Sequence, residues 1–155
     1  MSKTNAIRLL ERMGVKFNTI SYPVSEEELD AVSVAKKVGL DPDTVFKTLV
    51  ARNEANKIFV FIIPGPYELD LKKAAKSSGS KRVEMVKVKE LFDLTGYIRG
   101  GCSPIGMKKH YPSFIDETAF LFDQISVSAG ERGTQIILEP TSLVKTIEAK
   151  VVDLI

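Results

Sequence analysis

The spacing of apolar residues predicts helices and strands that follow one another irregularly along the chain. Ile7, Leu10 and Met13 recur at helical spacing, and Gly14 ends that pattern. The same reasoning, applied to the rest of the sequence, predicts helices at 29–38, 71–78, 88–94 and 140–147, and strands at 17–22, 48–51, 58–63, 83–86, 125–128, 135–138 and 151–154.

The predicted elements favour a mixed α/β (α+β) fold. Residues 58–63 are apolar at every position, which indicates a central strand buried on both faces. Because strands and helices alternate irregularly, we expect a mixed, curved sheet with helices packed against it rather than a regular doubly wound sheet. No repeat, low-complexity tract or shift in composition divides the chain, so residues 1–155 are predicted to form one domain.

Composition excludes disorder and membrane embedding, since 44% of the residues are hydrophobic and 27% are charged. The longest apolar run is too short to cross a bilayer, and the first residues show no signal-peptide pattern. Cys102 is the only cysteine, so an intrachain disulfide cannot form, which fits a reducing compartment. We therefore expect a cytoplasmic protein.

Charge gives a weak indication of a partner. The formal net charge is +2, and basic residues cluster at 72–82 and at 108–110. Each cluster alone is typical of a solvated face, whereas together they permit a partner that carries phosphates.

Several familiar catalytic sites are excluded. One cysteine and one histidine cannot form the usual Cys/His zinc site, and no metal or other cofactor is predicted. His110 has no accompanying nucleophile elbow that would complete a catalytic triad. The loop at 101–108 has the glycines of a nucleotide-binding phosphate loop but lacks the lysine and hydroxyl that follow them. Cys102 is interpreted as the filling of a small apolar slot rather than as a nucleophile.

Two glycine-rich turns and one lysine are the candidate chemistry. The turns at 96–106 and 126–133 combine glycines with hydroxyl and basic side chains, so their N–H groups could converge on an anion or a carbonyl oxygen. Simple tight turns would explain either one, but the first has four glycines in eleven residues, which favours a site. Lys47 interrupts an apolar segment, and such a lysine either reaches solvent or points into a pocket.

The Lys47 segment and the two glycine-rich turns, taken in their order along the chain, resemble the YbaK/EbsC family of free-standing aminoacyl-tRNA deacylases. This family is related to the editing insertion of bacterial prolyl-tRNA synthetases. The motifs that carry the resemblance are Phe-Lys-Thr-Leu at 46–49, Gly-Gly-x-Ser-Pro-x-Gly at 100–106 and Ser-x-Gly-x-Arg-Gly at 128–133. The similarity runs from about residue 7 to residue 155. It implies a curved, partly barrel-like mixed β-sheet flanked by helices.

The resemblance also implies an activity and partners. The expected reaction is hydrolysis of the ester between a misplaced amino acid and the 3′ adenosine of tRNA. The expected substrate is cysteine on proline tRNA, with prolyl-tRNA synthetase as a possible partner. The attacking group is either the substrate's own thiol or a water molecule. A deacylase for alanine or another small residue, and a non-catalytic module that binds tRNA ends or a synthetase, are the alternatives.

Site residues follow from the same resemblance. Lys47 matches the family's essential lysine, and we expect Gly101 and Ser103 to belong to the catalytic turn, whose N–H groups would meet the carbonyl oxygen. The resemblance also implies substrate-binding residues. They are Tyr22, at a position where the family often has an aromatic residue, and five residues of the two glycine turns: Gly100, Cys102, Pro104, Ser128 and Gly130. Departures from the family pattern at Cys102, at Ser126 and after Tyr22 bear on the preference for one amino acid over another.

Overall fold

A computed structural model describes residues 3–155, and these contain five α-helices, two short 3-10 helices and eight strands. The helices are α1 (Asn5–Arg12), α2 (Ala31–Val38), α3 (Leu71–Ser77), α4 (Val88–Thr95) and α5 (Pro140–Ile147), with 3-10 turns at Pro42–Thr44 and Glu117–Leu121. The strands are β1 (Asn18–Ser21), β2 (Phe46–Asn53), β3 (Ile58–Pro64), β4 (Val83–Met85), β5 (Ser113–Asp116), β6 (Ile125–Ser128), β7 (Thr134–Leu138) and β8 (Lys150–Val152). None of the helices in this part of the chain has the length and apolar composition needed to span a membrane.

The strands form two sheets, which confirms the predicted mixed architecture. One sheet has the order β1-β7-β6 and is antiparallel throughout. The other has the order β4-β2-β3-β5-β8, in which β3, β5 and β8 run parallel to one another. A single parallel bridge between Val45 and Ser126 joins the sheets. In the described residues, neither sheet closes into a barrel.

Strand β3 lies at the centre of the five-stranded sheet and is apolar on both faces because each face supports its own core. Val60 and Ile62 belong to a core that also contains residues of α1, α5, β6 and β7. Phe59, Phe61 and Ile63 point the other way, into a second core with α3 and β5. Alternation of side chains along a strand requires this division. The prediction of a central strand is confirmed.

Caps define the start and end of α2, the helix that covers the site described below. Asp30 accepts a hydrogen bond from the N–H of Ser33 at 2.7 Å, which satisfies one of the free donors of the first turn. Gly39 ends the helix in the left-handed conformation, as the sequence predicted. The N-terminal end of α2 is thereby fixed next to β2.

The sequence pattern missed strand β5 and placed the last strand too far along the chain. Strand β5 has four residues, all buried, so it shows no alternation of apolar and polar positions. Its last residue, Asp116, is fully buried and accepts a hydrogen bond from the N–H of Leu154 at 2.8 Å. Because Asp116 is the last residue of β5 and pairs with Val152, the ladder ends there and β8 stops two residues before the predicted end at 154.

Candidate active site

A cavity of about 360 Å³ opens where the start of α2, the first half of β2, the turn at 99–102 and strands β6 and β7 meet. Four of the predicted site residues line it: Lys47, Gly100, Cys102 and Ser128. The remaining lining residues come from all of these elements and are Leu29, Asp30, Ala31, Val34, Val45, Phe46, Thr48, Leu49, Gly65, Arg99 and Gln135.

The bridge between the two sheets brings Lys47 and Ser128 to the same wall of the cavity. Val45 pairs with Ser126 in parallel orientation, and Lys47 and Ser128 each follow two residues later. Side chains two residues apart on a strand share a face, so these two side chains project to the same side. Gln135 lies opposite Ser128 in the β6–β7 ladder and shares that face too.

Lys47 is a half-buried cation without a close partner. Burial lowers the pKa of the Lys47 ammonium below its ordinary value of 10.5, and the nearby negative charges of Glu68 and Asp30 oppose this shift. Within residues 3–155, no hydrogen-bond acceptor bonds to its Nζ atom and no carboxylate lies within 4.0 Å of it. The ammonium is therefore free to bind a ligand that enters the cavity.

The start of α2, which lines the cavity, packs closely on the residue that follows β3, and a glycine makes that packing possible. A Cβ atom on Gly65 would lie 2.6 Å from the Cβ of Ala31, closer than real side chains approach. The N–H of Gly65 donates to the carbonyl oxygen of Val45 at 2.8 Å, which fixes this residue against the start of β2. Gly65 thus lets the first residue of α2 pack closely beside the cavity that Lys47 lines, a role that the sequence did not reveal.

Two residues of the first glycine turn, Gly100 and Cys102, line the cavity. Gly101 donates its N–H to the carbonyl oxygen of Ile98 at 3.0 Å, so this amide is used within the turn. The amides of Gly100, Cys102 and Ser103 donate to no acceptor in the described part of the chain. Tyr97 holds the ends of the loop together, since its hydroxyl donates to the carbonyl oxygen of Ile105 at 2.7 Å.

The two glycine turns pack main chain against main chain. A Cβ on Gly101 would lie 2.9 Å from both the nitrogen of Arg132 and the carbonyl carbon of Glu131. Gly130 is in equally close contact with the ring of Tyr97, since a Cβ atom added to this glycine would lie 2.7 Å from Cε1. The Ser128 hydroxyl accepts from the N–H of Gly130 at 3.2 Å. Glycine at these positions therefore allows the turns to approach each other.

The remaining predicted site residues lie outside the cavity lining. Ser103 is fully buried, and its hydroxyl accepts from the N–H of Ile105 at 3.2 Å, which stabilises the loop. Pro104 lines a separate hollow on the other side of this loop. Tyr22 follows β1 and donates its main-chain N–H to Gly133 at 2.9 Å. Direct roles for these residues and for Gly101 and Gly130 stay predictions.

Cys102 is a protonated thiol at neutral pH. Burial raises the pKa of this thiol to about 11, and a hydrogen bond with Thr95 offsets only part of the shift. Because the thiolate is the reactive form, the environment opposes a nucleophilic role. Within residues 3–155, no group of three or more His, Cys, Asp or Glu side chains is placed to hold a metal ion.

Asp30, Arg99 and Gln135 are polar residues of the cavity that the sequence reasoning missed. Asp30 has the signal of a helix cap, which does not reveal that it lines a site. Arg99 is exposed at the edge of the cavity next to Gly100. Gln135 is buried in β7 and accepts from the hydroxyl of Ser126 at 2.6 Å, and a polar side chain inside an apolar strand was the available signal.

Comparisons with known proteins agree with this geometry. The family model for the aminoacyl-tRNA editing domain matches residues 25–146. The chain is 49% identical over 141 residues to EbsC of Enterococcus faecalis, a candidate Cys-tRNA(Pro)/Cys-tRNA(Cys) deacylase, covering 91% of this chain and 86% of EbsC. It is 30% identical over 99 residues to a proline–tRNA ligase of Shouchella clausii, covering 64% of this chain and 17% of the ligase.

A solved structure shows the same fold. The crystal structure of a candidate trans-editing enzyme for prolyl-tRNA synthetase superposes with a TM-score of 0.86 and 25% sequence identity, covering 99% of this chain and 98% of that one. The matched family segment contains Lys47 and both glycine turns. The predicted resemblance is confirmed, and with it the predicted class of activity. The chain belongs to the aminoacyl-tRNA editing domain family.

Proposed function

We propose that the protein is a trans-acting deacylase that hydrolyses the ester of cysteine misattached to proline tRNA. The observation that carries the proposal is one cavity lined both by the half-buried Lys47 and by Gly100 and Cys102, whose main-chain N–H groups are unused. The likeness to EbsC, a candidate deacylase of cysteinyl-tRNA, supports cysteine as the amino acid.

An aminoacyl ester needs little from the enzyme beyond positioning and stabilisation of charge. Its carbonyl oxygen gains negative charge as the carbonyl carbon is attacked, and the free amides of Gly100 and Cys102, which line the cavity, are suitable donors. Each such donor typically contributes roughly 3 kcal/mol to transition-state stabilisation. Lys47 binds the ester region or the phosphate of the terminal nucleotide and holds the 3′ end in place.

Two attacking groups fit a cavity without a protein nucleophile. The cysteine thiol of the substrate can form a C–S bond to its own carbonyl carbon, with release of the ribose hydroxyl, and water then opens the product. Alternatively, a water molecule adds directly to the carbonyl carbon, and the ribose hydroxyl leaves with the proton. The first route requires a thiol in the substrate, whereas the second does not.

A partner is expected to supply most of the recognition of tRNA. With a net charge of +2, the chain offers few phosphate contacts, so its own binding of tRNA should be weak. We propose that it acts together with prolyl-tRNA synthetase, and the similarity to a segment of a proline–tRNA ligase supports this partner. A separate editing site is useful because one methylene changes binding by only about 1–3 kcal/mol.

Deacylation of mischarged tRNAs tests the proposal. Proline tRNA carrying cysteine, alanine or serine would be incubated with the wild type, Lys47→Ala and Lys57→Ala. Lys57 is exposed in the turn at the far end of the β2–β3 hairpin and is the matched control. We expect rapid release of cysteine by the wild type and by Lys57→Ala, and a loss of at least about a hundredfold in Lys47→Ala.

Other outcomes would separate the alternatives. Faster release of alanine than of cysteine would identify a deacylase for small residues, and equal release of serine would exclude the thiol route. Retained binding of tRNA ends without hydrolysis of any of the esters would identify a non-catalytic module. Wild-type turnover by a folded Lys47→Ala variant would contradict the assignment of Lys47.

A further inference from the structure

The cavity is lined by an acidic side chain, Asp30, as well as by Lys47, and aminoacyl esters carry a positive charge that matches the acid. We propose that Asp30 binds the free α-ammonium group of the esterified amino acid and makes the enzyme selective for esters whose amino group is unblocked. The inference rests on the proposed function, since it assigns one more group of the same substrate. It predicts that N-acylated esters, such as formylated or peptidyl-tRNA, are rejected.

The charges that line the cavity have opposite signs and are kept apart. Among the described lining residues, Asp30 is the single carboxylate, and Lys47 and Arg99 are the cations. No ion pair within 4.0 Å joins Asp30 to either of them. Asp30 and Lys47 nevertheless line the same cavity, and the charge of Lys47 is one of the causes that lower the pKa of Asp30. This leaves a gap between an anion and a cation.

Capping fixes the direction of the Asp30 carboxylate without using all of its acceptor sites. One carboxylate oxygen accepts from the N–H of Ser33 at 2.7 Å, and the other accepts from the Ser33 hydroxyl at 3.0 Å. An ionised carboxylate has about four acceptor positions, so about two remain for a ligand. A group held in this way is already oriented before the substrate arrives, which reduces the entropy lost on binding.

The substrate has a matching arrangement of charge. In an aminoacyl ester, one carbon atom separates the α-ammonium group from the carbonyl carbon. If the carbonyl oxygen lies at the amides of the 100–103 turn and the 3′ end lies at Lys47, the ammonium needs an acceptor in the same small cavity. Asp30 meets this need, and an N-acyl group would remove the positive charge and add bulk beside α2. Free aminoacyl esters are therefore favoured.

Comparing a free with a blocked amino group tests the inference. The wild type, Asp30→Asn and Asp41→Asn would be assayed on cysteinyl-tRNA and on N-acetylcysteinyl-tRNA, with kcat/KM as the readout. Asparagine caps helices as well as aspartate does, so Asp30→Asn keeps the cap and removes the charge. Asp41 caps the next short helix in the same way and does not line the cavity, so Asp41→Asn is the matched control.

We expect Asp30→Asn to lower kcat/KM for the free amine by about tenfold or more, because a hydrogen bond to a charged group is lost. The N-acetylated substrate should show no such fall, so the ratio between the two substrates should move toward one. Asp41→Asn should keep the wild-type ratio. Acetylation also alters the intrinsic reactivity of the ester, and comparison of ratios between variants removes that contribution.

The same assays separate the two ways of failing. A wild type that hydrolyses cysteinyl-tRNA, with an unchanged substrate ratio in Asp30→Asn, would overturn the inference and leave the proposed function standing. An equal fall on both substrates in Asp30→Asn would also overturn it, because it would indicate a general structural effect. A wild type that hydrolyses neither ester would refute the proposed function, and the inference would fall with it.

Discussion

The guanidinium of Arg132 donates from Nε to the main-chain oxygen of Arg99 at 2.9 Å and so ties together two turns that are 33 residues apart in sequence. Gly101 packs on the main chain of Glu131 and Arg132 directly beside this bond. The free amides of the first turn are therefore held in place by the second turn. Changes at this contact should alter catalysis through the position of the donors.

Replacement of Gly101 with alanine should damage both stability and activity. The new methyl group would lie 2.9 Å from main-chain atoms of Glu131 and Arg132, which cannot move as easily as side chains. We expect a loss of about 1–3 kcal/mol of unfolding free energy, which is typical of overpacking, together with a large fall in kcat. Chemical denaturation and deacylation of cysteinyl-tRNA would measure the two effects.

Gly79→Ala provides the control for this prediction. Gly79 has φ +68° with nothing within 4 Å of a Cβ position, so alanine there costs about 1–2 kcal/mol from the left-handed conformation alone. The control should lose a similar amount of stability while keeping its activity. Equal retention of activity in Gly101→Ala would show that the contact between the turns does not position the donors.

The titration of Lys47 should limit activity at alkaline pH. Burial lowers the pKa of this ammonium below 10.5, and catalysis by the proposed route uses the protonated form. As pH rises through the lowered pKa the charge is lost, so kcat/KM should fall earlier than an ordinary lysine would cause. NMR titration of the Lys47 ammonium, assigned by its absence in Lys47→Ala, should give the same midpoint. A midpoint at or above 10.5 would contradict the prediction.

Replacement of Cys102 with alanine should have little effect on the reaction. The thiol has a pKa of about 11 because of burial, so almost no thiolate is present at neutral pH. We expect kcat/KM to stay within about threefold of the wild type, with a destabilisation on the order of 1 kcal/mol from the lost sulfur contacts. An inactive but folded Cys102→Ala protein would restore the nucleophile hypothesis.

Arg99 should contribute to binding of the tRNA backbone and little to the chemical step. Its side chain is exposed at the edge of the cavity, and its main-chain oxygen, which binds Arg132, is kept in any variant. In Arg99→Ala we expect KM for cysteinyl-tRNA to rise. The slope of log K for tRNA binding against log of the salt concentration should become shallower by about 0.7, the value for one lost phosphate contact to a single strand. Hydrolysis of cysteine methyl ester, which has no phosphate, should not change.

Arg82→Ala is the matched control for this variant. Arg82 precedes β4, which pairs with the far end of β2, about 20 Å along the strand from Lys47. Removal of the Arg82 charge should change both KM and the salt dependence of tRNA binding less than Arg99→Ala does. Equal effects of the two substitutions would indicate attraction by overall charge rather than a contact at the cavity.

Local patterns in the sequence were sufficient for most of the elements. The uninterrupted apolar run of β3 indicated a strand with two buried faces, and the structure shows a core on each side. Gly39 marked the end of α2 through a capping preference that acts within a few residues. Strand β5 was missed because its four buried residues carry neither alternation nor length. The strand conformation of β5 depends instead on pairing with its parallel neighbours β3 and β8, which are distant in sequence.

The site was less accessible to sequence reasoning because distant contacts create it. Lys47 was ambiguous by spacing alone, and the family resemblance identified it as the candidate. Nothing near Gly65 in the sequence indicates that Ala31 packs on it, and the capping role of Asp30 hides its position in the cavity. Ser103 was chosen for its hydroxyl, but that hydroxyl bonds within its own loop. The orientation of a side chain depends on packing that a motif does not record.

The half-buried ammonium of Lys47 has a consequence for laboratory evolution. Below its lowered pKa the folded protein bears the full cost of holding this charge partly out of water, and the cost diminishes only as alkaline pH removes the proton. A library selected for heat resistance alone should therefore enrich methionine or leucine at position 47. Such a selection would yield more stable proteins that have lost deacylase activity. The position at which stability is most easily gained would therefore identify a residue that the reaction needs.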